Sequence, residues 1–114
     1  MPHAFSYLIL KLFALRDHVA GSARRDGSHH ALDMFTIWSG ITESELAEAV
    51  QLRDTYSAHP LMAEARLIVA QLFMNEDAPG LLALQIAARD VQIRLGALDV
   101  ERFVRDLQII LVGT

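Results

Sequence analysis

The stretch from Ala4 to Leu15 constrains this chain more than any other: it is almost wholly apolar, with Lys11 set among leucines. A membrane-crossing helix needs about 20 apolar residues, and this stretch is 12 residues long and interrupted by Lys11. No basic segment precedes it, and Arg16-Asp17-His18 follows where a signal peptide would carry small residues. The remaining place for it is a protein core. Phe5, Tyr7, Leu8, Ile9, Leu10, Leu12, Phe13 and Leu15 cover nearly the whole circumference of a helix, which predicts a central helix over Ala4–Ala20, closed by Gly21-Ser22.

Helical periodicity continues along the chain, and no alternating strand pattern of useful length interrupts it. A short second helix is expected from His29 to Trp38, ended by Ser39-Gly40. Thr42-Glu43-Ser44-Glu45 has the spacing of a capping box and starts a third, reaching about Ser57. Pro60 suits the first turn of a fourth, with Leu61, Ala65, Ile68 and Leu72 as one stripe and Met62, Val69 and Phe73 beside it. Asn75 to Gly80 reads as a loop punctuated by Pro79-Gly80, followed by a fifth helix over Leu81–Leu95 that Gly96 stops in a left-handed conformation. Asp99 is expected to cap a sixth, ending near Val112, with Val100, Phe103, Val104, Leu107, Ile110 and Leu111 as its apolar face. Short connections favour antiparallel neighbours. The expected architecture is all-α, a compact bundle of five or six helices forming a single domain over residues 1–114.

Composition narrows the partners. Residues of the apolar class make up 53% of the chain, above the roughly 45–50% of ordinary soluble domains. A small domain cannot hide that surplus inside, so an apolar face toward another protein chain or a second copy is expected. The net charge is −4, and the one basic cluster, Arg24-Arg25, is followed directly by Asp26; this argues against nucleic acid, which needs a basic stripe. The absence of cysteine excludes disulfides, thiolate metal sites and cysteine nucleophiles. It also fits a reducing compartment, and the cytoplasm is the expected location.

No complete catalytic motif is present. No serine stands in a G-x-S-x-G elbow, and the six glycines are scattered rather than gathered into a phosphate loop. His30 and Asp33, three apart, share a helix face, but without HExxH or a second Glu-x-x-His the histidines read as a polar helix start. No catalytic residue, metal or cofactor is assigned. Arg24, Arg25, His29 and His30 form a polar cluster in which an arginine could hold a phosphate while a histidine moves a proton, as in a small RNA-cleaving or metal-dependent enzyme. Glu43, Glu45, Glu48 and Asp54 read as a solvated face of the third helix. Lys11 has two readings. It snorkels, with its stem on apolar surface and its ammonium in water, or it points into a cleft and meets an anion.

Two segments carry a family resemblance. Lys11-Leu-Phe-Ala-Leu-Arg-Asp-His18, then Arg25 and His29-His-Ala-Leu-Asp-Met-Phe35, resemble the helical C-terminal region of nucleotidyltransferase-like proteins of the abortive-infection and toxin–antitoxin type. Ile37 to Phe73 is similar too, including His59-Pro60 and Glu64-Ala-Arg-Leu-Ile-Val69. The resemblance implies a lysine directed at a nucleotide triphosphate and a later aspartate directed at the active site. By motif position these are Lys11 and Asp33, with Arg16 and Asp17 as neighbours. The family's G-S motif and paired metal-binding aspartates are not among these 114 residues. What is expected is therefore a non-catalytic module that contributes to a nucleotide or substrate pocket or to a partner interface. A self-associating helical scaffold or adaptor is the second reading, and a small metal-dependent or RNA-cleaving enzyme using His29, His30, Asp33 and the Arg24-Arg25 pair the third.

Overall fold

Six helices account for nearly all of the computed structural model, which describes residues 3–21, 28–74 and 77–113. In chain order they are α1 (Ala4–Gly21), α2 (His29–Ser39), α3 (Glu43–Thr55), α4 (Pro60–Phe73), α5 (Pro79–Asp90) and α6 (Ala97–Leu107). A π-helical turn over Gln108–Val112 extends α6. No strand occurs among the described residues, so the bundle is all-α. None of its helices is long and apolar enough to cross a membrane.

The core runs between α1, α2, α4 and the C-terminal turns. α1 contributes Phe5, Leu8, Leu12 and Leu15, spaced 3, 4 and 3, which is one stripe of a helix. The helix is not buried on all sides as its composition predicts, because Leu10 is 64% exposed. Its neighbours α2, α3 and α4 leave that side uncovered. On α4 the buried set is Met62, Ala65, Ile68, Val69, Leu72 and Phe73. Leu61, the expected head of that stripe, is 51% exposed, and Met62 takes its place. α3 fully buries only Ala49.

The helix starts show which local signals decide the chain's course. The capping box is present: Thr42 Oγ1 accepts from the Glu45 amide at 3.1 Å, and the Thr42 amide donates to Glu45 Oε1 at 3.3 Å. Pro60 opens α4, and His59 is its cap, with Nδ1 accepting from the Leu61 amide at 3.1 Å. Pro79-Gly80 corrects the sequence expectation. The pair begins α5 rather than closing a loop, with Pro79 in the first turn, where its missing N–H costs nothing. A Cβ on Gly80 would lie 2.5 Å from the Leu72 carbonyl oxygen and 2.8 Å from the Phe73 ring. Glycine is thus there for the close approach of α5 to the end of α4.

The end of α5 also departs from expectation. The helix stops at Asp90, and Gln92 takes the left-handed position at φ 60°. The Gln92 amide donates to Arg89 O at 3.1 Å and the Ile93 amide to Ala88 O at 2.8 Å, the paired bonds of a Schellman ending. Gly96 is extended, at φ −77° and ψ 137°, and sits at the N-cap of α6. Asp99 falls in the first turn of α6 instead of capping it. The left-handed stop lies at Gln92, four residues before Gly96, where the sequence predicts it.

The α6 face behaves as its pattern predicts. Phe103, Leu107, Ile110 and Leu111 are fully buried. In the π turn the Gly113 amide donates to Gln108 O, five residues back, at 2.8 Å. Arg53 of α3 donates to the carbonyl oxygen of Ile109. Around Phe103 gather three further aromatic rings: Phe35 at 5.3 Å, Trp38 at 5.5 Å and Phe73 at 5.8 Å between centroids. Phe35 and Phe73 meet it edge-on, the favoured electrostatic arrangement. Trp38 Nε1 donates to Asp106 Oδ2 at 2.8 Å, which fastens the C-terminal half of α2 to α6.

Candidate functional site

The most chemically diverse group of side chains lies where the middle of α1 meets the start of α2. Lys11 and His18 are seven residues apart on α1 and so share a face. His29, His30 and Asp33 occupy the first turns of α2. Lys11 Nζ and Asp33 Oδ2 are 2.9 Å apart, with side-chain exposures of 18% and 37%. The lysine meets a carboxylate of the neighbouring helix. One turn earlier on α1, the Tyr7 ring lies 5.4 Å from the ammonium, in cation–π range. The hydrogen bond to Asp33 is the main cause of a raised Lys11 pKa, which holds the ammonium charged.

His30 contrasts with Lys11. Its Nδ1 is buried and has no hydrogen-bond partner among the described residues. Burial is the first cause of its lowered pKa, and the nearby positive charges of His29 and Lys11 add to it, with Asp33 opposing. The neutral ring is therefore favoured, with one nitrogen lone pair available. His29 is exposed, and its ring centroid is 4.1 Å from that of His30. One donor atom from each of His29, His30 and Asp33 lies within 4.8 Å of the others.

The other residues singled out in the sequence go elsewhere or lie beyond the described residues. Arg16 faces α4, where it pairs with Glu64, and it also binds Asp17 at 3.1 Å. α1 thus presents Lys11 to α2 and Arg16 to α4, two separate interfaces. Asp17 is exposed. Arg24, Arg25 and Asp26 lie outside the described residues. Of the acidic residues on α3, Glu45 completes the capping box and Glu48 lies 2.9 Å from His3 Nε2.

No family model, curated protein or solved structure matches the chain. What the site can do has to be read from its own groups. The Lys11–Asp33 pair carries no net charge, so an anionic ligand reaches the lysine only by competing with Asp33. The neutral His30 ring can accept a proton or donate to a metal. Beside Tyr7 a cleft of about 660 Å³ opens, lined by His3, Ala4, Tyr7, Thr36, Ile37, Gly40 and Glu45. Its size falls in the range of small-molecule sites. The sequence pattern alone makes Tyr7 core apolar surface; its place four residues before Lys11, one turn away on the same face, is the signal that joins it to the site.

Proposed function

We propose that the chain is a non-catalytic helical module working in the cytoplasm. It resembles the C-terminal region of a nucleotidyltransferase-like protein, and its Lys11–Asp33 junction forms part of a nucleotide or partner interface completed by another chain. The observation that carries this reading is the meeting of Lys11 and Asp33 at 2.9 Å from two different helices. The resemblance selects the same two positions by motif alone. Toxin–antitoxin and abortive-infection systems are the setting this implies. A lysine is a compact charge suited to a phosphate, and the cleft beside Tyr7 offers room for a base or sugar. Phosphoryl chemistry itself relies on metal-clamped phosphates, and these 114 residues do not contain the family's paired aspartates.

The decisive experiment is affinity capture from the source organism with wild-type, Lys11→Ala and Asp33→Ala proteins, together with titration of ATP followed by NMR. The reading expects capture of a chain that carries a G-S motif and paired aspartates, or ATP-induced shifts near Tyr7 and Lys11, lost in both variants. Unchanged capture and unchanged spectra in both variants would sink it.

A second reading, self-association, has its own observation. Leu82 and Ile86 on α5, Val91 and Ile93 just beyond it, and Leu98 on α6 are all between 39% and 57% exposed. Sedimentation over a wide concentration range tests it, and a strict monomer throughout would rule it out.

A further inference from the structure

We infer that His29, His30 and Asp33 form a binding site for a divalent transition-metal ion of the zinc class at the start of α2, next to the Lys11–Asp33 contact. The inference does not rest on the nucleotide reading and requires no second chain.

Three observations converge on it. The first is proximity: one donor atom from each residue lies within 4.8 Å of the other two. In a tetrahedral zinc site, nitrogen and oxygen ligands stand about 2.0–2.2 Å from the metal, which places donors roughly 3.3 Å apart. Closing that gap is a matter of side-chain rotation, and His29 is exposed and free to turn. The second is the orphaned nitrogen. His30 Nδ1 is the buried side-chain polar atom without a hydrogen-bond partner among the described residues. A buried polar atom left unpaired is costly, and coordination through Nδ1 would remove that cost. The third comes from the other histidines. His3 accepts from the Phe5 amide at 3.0 Å and lies 2.9 Å from Glu48, and His59 caps α4. Those two serve the fold, whereas His29 and His30, like His18 outside the cluster, make no such bond among the described residues.

The donor chemistry selects the metal. Two imidazoles and one carboxylate suit zinc and its neighbours, and the set is too poor in oxygen for calcium or magnesium. Asp33 can serve Lys11 and the ion together, because Lys11 engages Oδ2 and leaves Oδ1 for the metal. Lys11 would then orient a metal ligand from outside the coordination shell, as carboxylate partners often do for histidine ligands. Three protein ligands leave a fourth position open to solvent or to a ligand group. Two features oppose a cation here, the Lys11 ammonium and the positive end of the α2 dipole. They give the proposal a signature that chance histidine binding lacks: removing the lysine charge strengthens the site.

The test is calorimetric titration of Zn²⁺ into the tag-free full chain at pH 7.5, with Co²⁺ absorption as a second readout. One equivalent should bind, and Co²⁺ should give the visible bands of a low-coordinate nitrogen–oxygen site. His29→Ala, at an exposed position that leaves the fold intact, should weaken binding by about tenfold or more, as should His30→Ala and Asp33→Asn. His3→Ala should change nothing. Lys11→Met should tighten binding on the order of tenfold. Circular dichroism separates lost ligands from lost folding, and His29→Ala alone decides the matter if the His30 variant unfolds. The proposal is overturned by the absence of saturable binding at millimolar Zn²⁺. It is equally overturned by binding that His29→Ala and Asp33→Asn leave unchanged.

Discussion

The two ends of α2 are built on opposite terms. At its C-terminal end, Phe35 and Trp38 pack against Phe103, and the Trp38 N–H finds a carboxylate at 2.8 Å. At its N-terminal end, Asp33 shares a carboxylate with Lys11, and His30 keeps a buried nitrogen without a partner among the described residues. One end satisfies its polar groups within the apolar packing. The other holds ionisable groups together and leaves part of their bonding capacity unused. Stability is therefore expected to concentrate at the aromatic end, and ligand chemistry at the polar end.

Breaking the aromatic end should have the largest effect. Phe103→Ala removes a fully buried ring that touches three others, and chemical denaturation should show a loss of about 3–5 kcal/mol. A loss below about 1 kcal/mol would mean that the ring cluster does not organise the core. Trp38→Phe keeps a ring but strips the donor from Asp106, whose side chain is only 17% exposed. Hydrogen bonds to charged groups contribute about 1.5–3 kcal/mol, so a loss near 2 kcal/mol is expected. Equal stability of Trp38→Phe and wild type would show that Arg105, 3.6 Å from Asp106, suffices alone.

The polar end should respond far less. Asp33→Asn acts on a pair whose carboxylate is more than a third exposed, so the change in folding free energy should stay within about 1 kcal/mol. A loss as large as that of Phe103→Ala would erase the contrast between the two ends. The smallest effect is one of pH. His30 has its pKa lowered in the fold, so below its ordinary value of 6.5 the unfolded chain takes up the proton more readily. Its contribution is complete above that value and is lost as pH falls below it. The Lys11 shift has the opposite sign, and its contribution is present below 10.5 and lost as pH rises through the raised value. Melting temperatures at pH 5.5 and 7.5 should differ more for wild type than for His30→Gln. Equal differences would show that His30 is not a source of acid sensitivity.

Much of the fold could be read where a signal is local and has one physical meaning. Thr42 with Glu45, Pro60 at a helix start and the 3–4 spacing of the α6 face are of this kind, and each is found in the structure. The misreadings share a cause. Pro79-Gly80 can close a turn or open a helix, and the choice is made by the Leu72 carbonyl and the Phe73 ring, which only the packed α4–α5 corner brings near. Gln92 adopts a left-handed conformation that glycine favours, held there by two amide bonds to α5, while Gly96 needs no such freedom. The resemblance names Lys11 and Asp33, whose side chains meet in the structure, and periodicity puts His30 on the same face as Asp33. What remained out of reach was tertiary: the cleft beside Tyr7, the burial of the His30 nitrogen, and the Trp38–Asp106 bond across 68 residues of sequence.

The clasp between Arg53 and the π turn has a dynamic consequence. α3 buries a single residue completely, with Leu46 and Leu52 packed only partly buried against the core, so it is held less firmly than α1 or α4. Its principal polar tie to the C-terminal turn is one guanidinium on one main-chain oxygen. Elements with few buried contacts open below the free energy of global unfolding. Amides of α3 should exchange with solvent ahead of those of α1 and α4. Each opening would unroof Trp38, because Thr42, Glu43 and Leu46 line the same cleft as its ring. Such an opening would remove one wall of that cleft, and the residue it would expose further is the chain's sole tryptophan, a built-in fluorescent witness to the motion.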